Sequence, residues 1–271
     1  MNGESQPFDR NKIIRTALRM RATPEEAEEI AQRIEEKIYS GIPTKKIMQM
    51  LFSYMRDIKP HLKRTIDLRE AIGMLRSKPD FEQFVAQLLL EEGYDVSTNQ
   101  IVQGRCVEHE IDVIASKPGE TIYVEVKHHD KPHTFTGIDV FLETHSVFED
   151  LREGFKAQRH GYNFKKSMVA VNTKISEQAR RYADCVGTEY LAWRAPENRG
   201  LEFLIEQKKL YPITFLRTLN AETQARLGDN GIVTVKQLVE ENFKGLQRKT
   251  KIPAGKLREL ISGAQNILQN Q

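Results

Sequence analysis

The stretch Glu110-Ile111-Asp112-Val113 and, beyond a turn at Lys117-Pro118-Gly119, the stretch Val124-Glu125-Val126-Lys127 decide the fold. Both alternate charged and aliphatic residues, the period of a strand with one buried face. The Pro-Gly turn between them predicts neighbouring antiparallel strands. Residues i and i+2 of a strand share a face. Glu125 and Lys127 therefore point one way and Val124 and Val126 the other, and Glu110 shares a face with Asp112. A matching register brings Asp112, Glu125 and Lys127 together at one end of the sheet.

Outward from this hairpin the period changes in a regular order. Pro79-Asp80 leads into a helix whose buried stripe is Phe81, Phe84, Val85, Leu88 and Leu89, ended by Gly93. Extended runs cover 94–102, 109–115 and 121–126. A helix follows over about 137–157, a strand over 167–171, a helix over about 176–185 and a short strand over 189–193. Helix, three-stranded meander, helix, strand, helix, strand is an α/β core with a mixed sheet, assigned to residues 77–208.

The charged cluster suits phosphodiester hydrolysis. Two carboxylates, Asp112 and Glu125, can hold a hard cation such as Mg²⁺ or Mn²⁺, with the Val126 carbonyl as a further ligand. Such a cation polarises the scissile phosphate and acidifies a bound water. Lys127 is placed to orient or deprotonate that water, or to neutralise charge on the phosphate. Glu82, in the first turn of the preceding helix, is a candidate additional acid. An ExK triplet by itself more often lines a solvated sheet face. The strand aspartate, the upstream helix acid and the β–α–β–α order that follows favour the catalytic reading.

The totals bound the rest. With 271 residues, 39% of them hydrophobic, the chain is long enough for two or three modules with real cores. No apolar run approaches the ~20 residues of a membrane helix, and Met1-Asn2-Gly3-Glu4 does not open a signal peptide. Cys106 and Cys185 form no disulfide framework. A soluble, cytoplasmic protein without membrane association is the expectation. The net charge of +3 is unevenly spread. Residues 1–78 hold 16 Lys and Arg against 11 Asp and Glu, residues 79–210 hold 16 against 22, and residues 211–271 hold 9 against 5. The middle is acidic and its flanks basic, so attraction for a polyanion must come from bound metal, local patches or the flanks. Five of the seven histidines, His109, His128, His129, His133 and His145, crowd one stretch. No Cys/His pairing at ligand spacing accompanies them, so lining of a groove is favoured over a zinc site.

Residues 81–194 resemble the Mrr-like catalytic domain of the restriction-endonuclease-like, PD-(D/E)xK superfamily. The matching features are Phe81-Glu82-Gln83-Phe84-Val85, Gly93-Tyr94, His109-Glu110-Ile111-Asp112-Val113 and Val124-Glu125-Val126-Lys127. The resemblance implies a metal-dependent DNA endonuclease with Asp112, Glu125 and Lys127 as catalytic and metal-binding positions and Glu82 as the helix acid. It also implies dimerisation, by which such folds often cut both strands. Members of the superfamily can lose cleavage while keeping the fold.

Two flanking segments complete the chain. Residues 1–76 read as a helical module: Thr23-Pro24-Glu25-Glu26 starts a helix with Ala27, Ile30, Ala31, Ile34 and Ile38 on one face, and Pro43-Thr44 starts another with Ile47, Met50, Leu51 and Tyr54. Pro7-Phe8-Asp9, Lys12-Ile13, Ala27-Glu28-Glu29-Ile30-Ala31 and Ile42-Pro43-Thr44-Lys45-Lys46-Ile47 resemble an ATP-cone, a regulatory nucleotide-binding module. The resemblance implies ATP or dATP as effector, and Lys12 is a candidate phosphate contact or an exposed helix residue. The family's opening strand with Lys-Arg-x-Gly is missing, since the chain begins at Asn2-Gly3 where that strand should end. Either the true start lies upstream or the scaffold has outlived its nucleotide site; the second reading predicts weak or absent binding.

Residues 209–271 show short helical patterns broken by Gly228, Gly231 and Pro253-Ala254-Gly255. The run 227–238 is similar to a helix-hairpin-helix, SAM-like domain. Arg248, Lys249, Lys251 and Arg258 around the last turn favour phosphate contact with DNA over protein docking. The leading expectation is thus a DNA endonuclease with a nucleotide-sensing or vestigial cone. Its alternatives are a non-cleaving nucleic-acid binder of the same fold and a nucleotide-sensing regulator.

Overall fold

A computed structural model describes residues 7–19, 22–58 and 68–270, divided between two compact units, residues 1–65 and 66–271. The first holds α1 (Arg10–Arg19), α2 (Pro24–Glu35) and α3 (Thr44–Ile58). Thr23 and Glu26 form a capping box that satisfies donors otherwise orphaned at the start of α2. Ile13, Ala17, Ala27, Ile30, Ala31, Ile34, Leu51 and Met55 make the core of this unit, the faces that helical spacing predicts. The Asn2-Gly3 segment lies outside the described residues.

The second unit opens with α4 (Leu68–Gly73), a kinked turn (Ser77–Phe81) in which Lys78 is extended, and α5 (Glu82–Glu91). The meander follows as β1 (Asp95–Gln103), β2 (Glu108–Lys117) and β3 (Glu120–Lys127). Then come β4 (Phe135–Thr136), α6 (Ile138–Lys156), β5 (Lys166–Val171), β6 (Lys174–Ile175), α7 (Glu177–Val186) and β7 (Glu189–Leu191). The main sheet runs β1-β2-β3-β5-β7, antiparallel across the meander and parallel from β3 through β5 to β7. β4 and β6 form a separate parallel pair that sequence periodicity did not predict; two-residue strands are too short to show a period.

Alternation along the strands sorts the two faces. Val113, Ala115, Ile122, Val124 and Val126 pack with α5 on one side. Ile114 and Tyr123 meet Leu151 of α6 and Phe164 on the other. Beyond β7 the chain forms α8 (Leu201–Lys208), a 3-10 turn (Ile213–Phe215), α9 (Ala221–Gly228), α10 (Val235–Glu240), α11 (Phe243–Thr250) and α12 (Ala254–Asn270).

The two compact units do not coincide one for one with the three segments read from composition. Ala71, Ile72 and Leu75, grouped by sequence with the N-terminal helices, lie in the core beneath the sheet. Leu227, Val233, Leu246, Leu257 and Leu260 of the last segment belong to that same core. The C-terminal helices therefore share a core with the nuclease-like sheet, since short helices bury too little surface alone.

Asp80 is the polar lock of this arrangement. Fully buried, it takes the Arg76 guanidinium at 2.6–3.0 Å, and Arg76 also reaches Asp229 at 2.9 Å beside the end of α9. Gly228 sits against the pair: a Cβ there would lie 2.1 Å from Asp80 Oδ1 and 2.6 Å from Arg76 Nη2. Asp80→Ala, which removes the buried partner of Arg76 and leaves it Asp229, is expected to lower the unfolding free energy by about 2 kcal/mol. Gly228→Ala should lower it as well by forcing the pair apart. Chemical denaturation of both variants checks this, and midpoints equal to wild type would remove the lock from the account.

Candidate active site

The site forms where β2 lets go of its neighbours. The β1–β2 ladder passes from Thr98↔Val113 to Gln100↔Ile111 and skips the Asn99–Asp112 position. Asn99 there has φ +52°, a left-handed conformation that asparagine tolerates better than most residues. On the other side the β2–β3 ladder ends at Val113↔Val124. Asp112 thus lies at a break in both ladders, and its side chain replaces a backbone acceptor: the Val126 N–H donates to Asp112 Oδ2 at 2.8 Å. In an extended strand the N–H and C=O of one residue face the same edge. The Val126 carbonyl therefore faces the Asp112 side as well.

Glu125, one position beyond the last rung, shares the face of Tyr123, whose O–H donates to Glu125 Oε2 at 2.8 Å. Tyr123 is itself buried. Glu125 Oε1 stays on the side of Lys127, whose Nζ lies 3.8 Å away. Burial holds the Glu125 carboxyl above its ordinary pKa, and the charge of Asp112 adds to the effect.

Glu82 enters from the first turn of α5, and its Oε2 is buried with no hydrogen-bond partner. Burial first, then the charge of Asp112, pushes its pKa up to about 7. Between Glu82 and Asp112 stands a residue that sequence reasoning missed. Lys78 Nζ lies 3.1 Å from Glu82 Oε1, 3.1 Å from Glu110 Oε1 and 3.4 Å from Asp112 Oδ1. Tyr123 was also missed, although the same-face rule applied two residues back from Glu125 would have found it. Lys78 had no comparable signal, because its position depends on how the turn before α5 folds onto β2.

The structure thus brings Asp112, Glu125, Lys127, Val126 and Glu82 to one end of the sheet. Lys12 lies in the other unit, exposed on α1. The crowded histidines disperse to separate partners: His109 to Asp150, His128 to the Ile72 carbonyl, His129 to Thr136, His133 to Arg69 and His145 to Tyr182. His129 and His133, four residues apart, lie in a loop rather than on one helix face.

The donors offered to a metal here are all oxygens, with Lys78 standing 3.4 Å from Asp112 Oδ1 and Lys127 3.8 Å from Glu125 Oε1. Asp112 Oδ2 and Glu125 Oε2 are engaged by Val126 and Tyr123, which leaves Oδ1 and Oε1, the Val126 carbonyl edge and the unpartnered Glu82 Oε2. This chemistry fits Mg²⁺ or Mn²⁺ rather than a softer metal. Among the described residues no group of three or more His, Cys, Asp and Glu forms a ready-made cage. Mg²⁺ commonly needs only one or two carboxylates, with water and phosphate completing its shell.

A mixed α/β sheet that parts at an aspartate beside a Glu-x-Lys strand is consistent with a restriction-endonuclease-like core. Residues 76–192 match the restriction endonuclease family of the Mrr catalytic type, and residues 211–268 match the family described as AF1548-like, C-terminal. An uncharacterized protein of Archaeoglobus fulgidus is 39% identical over 184 residues, spanning 68% of this chain and 99% of that protein. The crystal structure of the protein of unknown function AF1548 superposes with a TM-score of 0.62 at 35% identity, over 76% of this chain and 100% of that one. The chain belongs to this AF1548-like family, and in it a restriction-endonuclease-like domain is followed by an AF1548-like C-terminal domain.

The raised carboxyl of Glu82 has a consequence for stability. A group that binds its proton more tightly folded than unfolded stabilises the fold at low pH and loses that contribution as pH rises through its folded pKa. Unfolding free energy measured in EDTA should therefore decline between about pH 4.5 and about 7. Glu82→Gln should flatten this decline. An unchanged slope in the variant would show that Glu82 is not its source.

Proposed function

We propose that the protein is a metal-dependent DNA endonuclease acting through Asp112, Glu125 and Lys127. The carrying observation is the hydrogen bond from Val126 N–H to Asp112 Oδ2, because it brings an aspartate, the Glu-x-Lys strand and a carbonyl edge to one break in the sheet. Asp112, Glu125 and the Val126 carbonyl would hold Mg²⁺ or Mn²⁺. That ion, when bound, supplies charge to the scissile phosphate and acidifies a water.

The protein's own residues do the rest. Lys127, partly exposed and on the face of Glu125, orients the attacking water and stabilises the negative charge that develops on the phosphate. Glu82 is poised near neutrality and can take or return a proton at its unpartnered Oε2. Tyr123 keeps one oxygen of Glu125 occupied so that the other faces the reaction.

DNA would be held largely outside the acidic sheet. Arg248, Lys249, Lys251 and Arg258 are exposed around the turn between α11 and α12, where cations meet phosphates without reading bases. Two copies acting together would cut both strands. The reading does not require a nucleotide at the N-terminal unit; ATP or dATP as its effector, contacted by Lys12, is a separate regulatory reading that rests on the cone resemblance.

Plasmid, single-stranded and branched DNA incubated with the protein in Mg²⁺ or Mn²⁺ test the reading. Cleavage should require the metal and fall by about 10²-fold or more in Lys127→Ala. Retained DNA binding without cutting on any substrate would favour the non-cleaving binder.

A further inference from the structure

Lys78 is a second half-exposed cation of the site beside Lys127, with no part in the chemistry proposed for Lys127 and Glu82. It sits on the turn just before α5, where Pro79, the buried Asp80 and the core residue Phe81 fix the backbone. Its ammonium reaches the three carboxylates of Glu82, Glu110 and Asp112 at once. A lone surface ion pair contributes little, but a lysine shared among three acids, two of them buried, is a built counter-charge.

The atoms it touches are the informative part. Asp112 has two carboxylate oxygens, and the Val126 N–H occupies Oδ2. Oδ1 is the oxygen left for a cation, and Lys78 lies on it. On Glu82 the ammonium takes Oε1 and leaves Oε2 unpartnered. A Mg²⁺ or Mn²⁺ ion bound to Asp112 would stand about 2.1 Å from that same Oδ1. An ammonium retained at its present position would then be pressed against a doubly charged ion.

We propose that Lys78 is an exchangeable internal counter-ion: it neutralises Glu82 and Asp112 until a divalent cation displaces it from Asp112 Oδ1. Its long stem lets the ammonium withdraw toward Glu110, which is exposed and remains its partner. Metal loading is therefore an exchange of one cation for another, and Lys78 raises the concentration of divalent ion needed to load the site. This inference rests on the metal-site reading above.

The test is a Mn²⁺ titration of the full chain without DNA, followed by calorimetry or by the paramagnetic resonance signal of free Mn²⁺. Lys78→Met, which keeps length and removes charge, should bind Mn²⁺ about tenfold more tightly than wild type, equivalent to about 1.4 kcal/mol. Lys78→Arg should stay close to wild type, and Asp112→Asn should abolish binding. In thermal melts, Lys78→Met should lose stability in EDTA and gain more than wild type from Mn²⁺. Lys78→Gln serves in the same comparisons if the Met variant does not fold. Equal or weaker binding by the neutral variant, with binding still lost in Asp112→Asn, would overturn the exchange while sparing the metal site. Absence of Asp112-dependent binding in wild type and the neutral variant alike would overturn both.

Discussion

The hydrogen bond between Val126 N–H and Asp112 Oδ2 is the constraint on which the rest of the site depends. Beyond Val113↔Val124 the strands cease to pair, and a buried N–H without an acceptor would cost about 1–3 kcal/mol. An aspartate carboxylate supplies the acceptor and becomes fixed in direction by doing so. The bond orients Asp112 Oδ1 and sets the first carboxylate beside the Glu-x-Lys strand. The left-handed Asn99 on the opposite side of β2 belongs to the same device, because it lets β1 pass the break and resume its pairing.

Around this break the molecule concentrates negative charge in low-dielectric surroundings, which is why Glu82 and Glu125 hold their protons more tightly than exposed carboxyls do. Lys78, Lys127 and the Tyr123 hydroxyl partition those oxygens. The surroundings are tied together by identifiable contacts. The turn that carries Lys78 also carries Asp80, whose pairing with Arg76 and close packing against Gly228 tie it to α9. The C-terminal helices thus support this end of the sheet by sharing its core.

Much of this was legible in the sequence where a period or turn residue carried it. The strands at 109–115 and 121–126, the stripe of α5 and the order of the following helices and strands stand within a few residues of their expected places. So does the shared face of Glu125 and Lys127. The division into units was less legible, because composition marks a change near 76 whereas burial of Ala71, Ile72 and Leu75 decides it. Helix α8 passed unread: its buried residues Leu201, Leu204 and Ile205 span barely more than one turn. Lys78 depends on a tertiary contact across 34 residues to Asp112, which no local pattern encodes. The matched family of the last segment likewise follows from comparison rather than from its Gly-broken helices.

On the proposed function, one end of the sheet gathers a hard divalent cation between Asp112 and Glu125. Anomalous diffraction from crystals grown with Mn²⁺ addresses it most directly. A peak is expected about 2.1 Å from Asp112 Oδ1, Glu125 Oε1 and the Val126 carbonyl oxygen, with the Lys78 ammonium moved off Asp112. A fully occupied Mn²⁺ elsewhere, or none at this end of the sheet while Asp112 and Lys78 keep their contact, would contradict it.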